Sequence, residues 1–442
     1  MAGLVMEKKG KVVFFVLLIA MFQGCSSAPR RIGSSAVFRV HGNVYPKGSY
    51  YVSLDVGQPP RQYYFDIDTG SDLTWLQCDY PCISCTETAH PLYEPPKKNE
   101  VFQNDTLCIA AFNTPEDHES ETPDEPCGYE VSYTDQGSSR GVLVRDVFPI
   151  RFTDGSLLRP ILAFGCGFEQ RVSDATPRCT DGVLGLSKAK SSILSQLHDQ
   201  GLTKNVIAHC FSRRGGGYMF FGDYFVPSSG VIWTRMSRNS FVQYSPGPTE
   251  LIFGGQPSGV RGLVVAFDTG SSYTYFNSEA YQAFISWVKK DLVGKPLMEA
   301  PDDKTLTVCF RGTKPFESIH DAKKYFNPIA LSFTNDRRTQ MEIPPEAYLI
   351  ISKHGNVCLG ILNGTQVGLE KLNLIGDISF QDKLVIYDNE KQKIGWIPTD
   401  CRSPSIVDHD DNEGFSRPYA ARMGVVTESY PATSTSREDK FE

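Results

Sequence analysis

Beyond its first thirty residues this 442-residue chain has no apolar run long enough to cross a bilayer, and nowhere does it carry a block of Lys or Arg. The first absence argues against a multi-span membrane protein. The second, with a formal charge of −7, argues against electrostatic capture of a nucleic-acid backbone. Histidine is sparse, eight residues scattered without metal-ligand spacing, so no metal and no cofactor is expected. Glycine and proline follow no three-residue period, which excludes collagen, and a 12% aromatic share argues against wholesale disorder. Cysteine, by contrast, is plentiful. Twelve dispersed cysteines are too many for an ordinary reduced cytosolic enzyme and point to a secreted chain.

The N-terminus agrees. Lys8, Lys9 and Lys11 precede an apolar run from Val12 to Phe22, and small residues from Gly24 to Ala28 offer a cleavage site, the three-part layout of a secretory signal. The run is short for a retained membrane anchor. Two N-glycosylation sequons, at Asn104 and Asn363, fit the same route. Cleavage beyond Cys25 leaves eleven cysteines, so at least one thiol is expected to be unpaired or bonded to another chain.

From Val37 to about Pro398, short runs rich in Val, Ile, Phe and Tyr alternate with Gly, Pro, Asn and Asp, which reads as mainly β. YYVSLDV, a Gln58-Pro59-Pro60 turn and QYYFDID predict one hairpin. VFPIRFT and SLLRPILAFG predict another, about a two-residue Asp154-Gly155 turn. Two segments predict helices: SSILSQLHDQGL, stopping at Gly201, and SEAYQAFISWVKKDL, opening at Asn277-Ser278. The acidic stretch 113–126 reads as a solvated loop between Cys108 and Cys127. The polar tail after Cys401 reads as disordered.

The chemistry sits in an internal repeat. YYFDIDTGSD at 63–72 and LVVAFDTGSS at 263–272 are both apolar strands running into Asp-Thr-Gly-Ser, and each has a downstream partner of two apolar residues and a glycine, Val183-Leu184-Gly185 and Leu374-Ile375-Gly376. A single Asp-Thr-Gly is weak evidence, because those residues commonly form turns. The duplicated pair of elements is specific.

With these motifs the sequence resembles the pepsin-like aspartic proteases over nearly all of residues 40–398. Trp75 stands seven residues after Asp68, YTDQGSSRG at 133–141 is similar to the family's flap with Tyr133 in the flap tyrosine position, and KIGWIP at 393–398 is similar to its closing strand. WLQCDYPCISC and the early cysteines resemble the plant nucellin-like and nepenthesin-like branch. The resemblance implies a bilobal β fold with a central cleft. Residues 1–28 would be the signal peptide, 38–225 an N-terminal lobe with the first Asp and the flap, 226–401 a C-terminal lobe with the second, and 402–442 a disordered tail.

Such residues suit peptide hydrolysis. An amide carbonyl is a poor electrophile, so one group must deprotonate water while another protonates the carbonyl oxygen. Two adjacent carboxyls can do both, because they resist ionising together and share a proton; aspartic proteases are the standard illustration of this effect. The resemblance implies that Asp68 and Asp268 are this pair, catalysing endopeptidase cleavage at acidic pH, with the choice of base and acid left open. Gly70 and Gly270 would allow close approach, Ser71 and Ser271 would bond the outer carboxylate oxygens, Thr69 and Thr269 would brace the loops, and Tyr133, supported by Trp75, would close over a peptide or protein substrate. It also implies a monomer, secreted to the apoplast, with vacuole and endoplasmic reticulum as open alternatives, and without nucleic acid or stable membrane insertion.

Two features depart from the family pattern. Only a short stretch separates the leader from the first strand, where a prosegment is usual, and the flap reads Thr-Asp-Gln between Tyr133 and Gly137. Cys78, Cys82 and Cys85 have spacings a metal could use, but no matching pair completes four ligands nearby. The branch analogy instead implies bridges Cys78–Cys82, Cys85–Cys166, Cys108–Cys127, Cys210–Cys401 and Cys309–Cys358, leaving Cys179. The serious alternative is a non-catalytic binding or inhibitor protein on the same scaffold, since fold does not fix function. The complete set of motif residues favours the enzyme.

Overall fold

The computed structural model describes residues 34–112, 124–171, 180–237, 243–333 and 339–404. Strands dominate these segments, as the short β-rich runs predict. The leader, Cys25, Cys179 and most of the tail lie outside the described residues.

A 13-stranded sheet runs through the molecule, and its middle carries the first motif. Strand Arg61–Asp68 alternates buried Tyr63, Phe65 and Ile67 with half-buried Tyr64 and Asp66, the two-residue period of a strand with one face in the core. It pairs with Ser49–Val56 on one side, completing the expected hairpin around residues 57–60. On its other side it pairs in parallel with Gly182–Gly185, with Gly185 level with Asp68. An 8-stranded sheet repeats this arrangement: Leu263–Phe267 runs parallel to Asn373–Ile375, with Phe267 level with Ile375. The apolar-apolar-Gly elements are thus the strands beside each Asp-Thr-Gly-Ser loop.

The last strands of the chain do not stay with the second half. Lys383–Asp388 pairs with Val206–Phe211 and with Lys393–Pro398, so both closing strands belong to the 13-stranded sheet. Each predicted helix forms. Ile193–Asp199 is capped by Ser192 and buries Ile193, Leu194 and Leu197. Ser278–Asp291 is capped by the Asn277 side chain, which accepts the Ala280 N–H.

Two local expectations are corrected. The Asp154-Gly155 hairpin is real, joining Ile150–Arg151 to Leu157–Leu158, but Phe152 donates its N–H to the Ser156 carbonyl, which makes a three-residue turn with only Gly155 at positive φ. The first cysteine cluster is also paired differently, as Cys78–Cys166 and Cys82–Cys85. The cause is strand register: Trp75–Gln77 runs parallel to Ile161–Arg171 with Leu76 level with Cys166, and Cys78 donates its N–H to Gly167 O at 2.9 Å. Cys82 and Cys85 lie on the loop that follows. The other three bridges, Cys108–Cys127, Cys210–Cys401 and Cys309–Cys358, join the pairs the resemblance implied.

Candidate active site

Asp68 ends its strand and Asp268 directly follows Leu263–Phe267, so each carboxyl is presented at a strand terminus. The two loops bond each other reciprocally. Thr69 N–H donates to Thr269 Oγ1 and Thr269 N–H to Thr69 Oγ1, both at 3.0 Å. Thr69 Oγ1 then donates to Phe267 O at 3.1 Å and Thr269 Oγ1 to Ile67 O at 2.9 Å. Four buried hydrogen bonds therefore cross the pseudo-two-fold axis. Thr69→Val keeps the side-chain volume but strands the Thr269 N–H and the Phe267 carbonyl. Each orphaned buried group costs about 1–3 kcal/mol, so a loss of unfolding free energy on that scale, read from urea unfolding, is expected.

The carboxyls are held alike. Gly70 N–H donates to Asp68 Oδ1 at 2.8 Å and Ser71 Oγ to Asp68 Oδ2 at 2.5 Å. Across the axis, Gly270 N–H donates to Asp268 Oδ1 at 2.9 Å and Ser271 Oγ to Asp268 Oδ2 at 2.8 Å. A Cβ on Gly70 would collide with the Asp268 carboxylate, and one on Gly270 with that of Asp68. The reciprocal collision locates both carboxyls at the axis and requires glycine at both positions.

Asp268 opens to the cleft at its surface, yet protein surrounds it on the other sides. That burial, with the neighbouring Asp68 charge, pushes its pKa up to about 7, while donation from Ser271 and Gly270 opposes the rise. Two further carboxyls, to which sequence reasoning gave no role, belong to the same neighbourhood. Asp377 is buried with Oδ1 unpartnered, and burial plus the charges of Asp268, Asp66 and Asp68 raises its pKa well above the usual range. Asp72 is raised by burial, against a hydrogen bond from Ser187, with Asp68 adding to the rise. Thr74 and Thr274 were also missed: Gly185 and Gly376 donate their N–H groups to these two hydroxyls at 3.1 and 3.2 Å. Their equal offset of six residues from the two motif aspartates was the available signal.

Tyr133 follows strand Gly128–Ser132, and its N–H donates to Gly137 O at 2.8 Å across the tip of the hairpin completed by Ser138–Val147. Its hydroxyl accepts from Trp75 Nε1 at 2.5 Å. Gln136 occupies the tip at φ 68°, a backbone region that glycine would take more easily. Asn104 is exposed, whereas the Asn363 side-chain oxygen accepts from Thr365 N–H and Ser278 Oγ.

The matching family models are described as xylanase inhibitor N-terminal, over residues 50–223, and xylanase inhibitor C-terminal, over 257–398. An aspartic proteinase of Oryza sativa subsp. japonica is 43% identical over 388 residues, covering 85% of this chain and 94% of that protein. The chain belongs to the pepsin-like aspartic protease family. Aspartic proteinase 36 of Arabidopsis thaliana, a more distant member, is 29% identical and covers 80% of this chain and 75% of its own length. Solved structures with the family's two-lobed fold include basic 7S globulin from soybean, with TM-score 0.63, 19% identity and coverage of 85% of this chain and 99% of the globulin. The aspartic proteinase from Irpex lacteus matches with TM-score 0.58 and 16% identity, covering 84% of this chain and 99% of its own. The disulfides, and the absence among the described residues of a helix long and apolar enough to cross a membrane, are consistent with the secretory pathway.

Proposed function

We propose that the protein is a secreted aspartic endopeptidase that hydrolyses peptide bonds by activating water between Asp68 and Asp268. The observation that carries this reading is the reciprocal approach of the two carboxyls, each held by its own glycine N–H and serine hydroxyl. Burial of Asp268, with the neighbouring Asp68 charge, raises its pKa and supports it as the holder of the shared proton. The closer donors around Asp68 favour that carboxyl as the charged partner. Asp68 then takes a proton from water as the water oxygen bonds the carbonyl carbon, and Asp268 gives its proton to the carbonyl oxygen. The resulting diol breaks its C–N bond as Asp68 passes its proton to the leaving nitrogen and Asp268 recovers one from a diol hydroxyl, which restores the dyad. Tyr133 on its hairpin closes over the peptide and limits access of bulk water.

The pH dependence follows from the sign of the shift. The acid must carry its proton, and Asp268 keeps it up to about 7. Cleavage is therefore expected to persist from acidic pH to near neutrality, then fall about tenfold per unit above that pKa. Purified protein incubated with a denatured protein between about pH 3 and pH 9, with and without pepstatin, checks this. Activity that increases above neutrality would contradict it. No cleavage at any pH, with tight binding to a glycoside hydrolase, would instead favour the inhibitor reading that the matching family descriptions keep in view.

A further inference from the structure

We infer that Gln170 makes the flap-side subsite of the cleft selective for a carboxamide side chain, Asn or Gln, in the bound peptide. This rests on the proposed function for what enters the cleft, though not on cleavage itself.

Beside Tyr133 lies a small recess. Two rings, Trp75 and Tyr133, share its lining with Gln77, Thr86, Ser138 and Gln170. The Gln77 amide is already engaged: its oxygen accepts the Thr86 N–H and its nitrogen donates to Thr86 Oγ1, both at 2.8 Å. Gln170 differs. The residue is only 7% exposed, and both its amide nitrogen and its amide oxygen are buried without a hydrogen-bond partner.

The main chain of Gln170 is held in place. Its N–H donates to Ser84 O at 2.6 Å, its carbonyl accepts from Ser84 Oγ at 3.2 Å, and it stands opposite Ser139 in the flap-bearing sheet. The nearest hydroxyls do not relieve it. A Cβ placed on Gly167 would lie 2.5 Å from Gln170 Nε2 and 2.8 Å from each of Ser139 Oγ and Tyr129 Oη; those two hydroxyls bond each other at 2.9 Å, and neither bonds the Gln170 amide.

An amide desolvated on both its donor and its acceptor is costly until a group supplying both replaces the lost water. A primary carboxamide supplies both within one planar group. An aliphatic side chain supplies neither, and a carboxylate supplies only acceptors. Lifting of the Tyr133 hairpin by an entering peptide opens the recess, and the substrate carboxamide then pairs with Gln170.

Two arms test this. In the first, wild type and Gln170→Met cleave a peptide library read by mass spectrometry. In the second, full-length Asp68→Asn protein, with and without Gln170→Met, binds labelled peptides that differ only by Asn or Leu at one position. Asn and Gln are expected to be favoured over Leu by about tenfold or more at one position near the scissile bond, and Gln170→Met to abolish or reverse this. A wild-type profile favouring apolar residues at every position overturns the inference while leaving proteolysis intact, even if the variant does not fold. Amide preference that survives Gln170→Met overturns it as well. If the library is not cut but the binding arm shows the preference and its loss, proteolysis falls and the subsite stands. Absence of both cleavage and discrimination removes both.

Discussion

Asp68→Asn is expected to lower the rate of peptide cleavage by about 10²- to 10⁴-fold with little change in melting temperature. The substitution preserves shape and most of the local bonding. The Asn oxygen can still accept the Gly70 N–H, and the Ser71 hydroxyl can rotate to accept from the new amide nitrogen. What disappears is the proposed base: an amide cannot take a proton from water near neutral pH. The Thr69 and Thr269 bonds that hold the loops do not involve the carboxyl, so the scaffold has no reason to yield. Steady-state cleavage of a fluorogenic peptide, beside circular-dichroism melting, separates chemistry from folding. Wild-type rates in this variant would sink the dyad assignment.

The largest expected loss of stability comes from the Cys210–Cys401 bridge. Its cysteines are 191 positions apart, and both are buried against Val206, Ala208, Tyr218, Phe220, Leu384 and Ile386. Cross-linking so long a loop restricts the unfolded chain strongly, and replacing both residues by Ala is expected to cost about 2–5 kcal/mol. Cys82–Cys85 encloses two residues on a partly exposed loop, so its removal is expected to have a far smaller effect. Urea unfolding of the two double variants, compared with wild type, gives the ordering. Equal midpoints for the two would contradict it.

The site was legible because it is duplicated. Two Asp-Thr-Gly-Ser loops and two apolar-apolar-Gly partners leave few ways to pair, and the parallel registers of Gly185 with Asp68 and of Phe267 with Ile375 follow that repeat. Helix limits were legible through Ser192 and Asn277, whose side chains cap locally. The early cysteines were not, because Cys78 meets Cys166 through the parallel register of two strands nearly ninety residues apart, which spacing does not encode. Asp377 sits in plain view after Ile375-Gly376, but its importance comes from burial beside other carboxyls. Gln170 carries no motif at all. Its unpartnered amide appears only once Ser84, Ser139 and Gly167 have been brought around it.

The placement of the closing strands also bears on how the chain comes off the ribosome. Val206–Phe211 has Gly217–Phe221 on one side, but its other edge stays open until Lys383–Asp388 has been synthesised and docked. Roughly 170 residues must emerge in the meantime, several seconds or more of translation during which an apolar strand edge is exposed. Until then that edge is open to pairing with another chain, and premature termination before Lys383 would release a product with it uncovered.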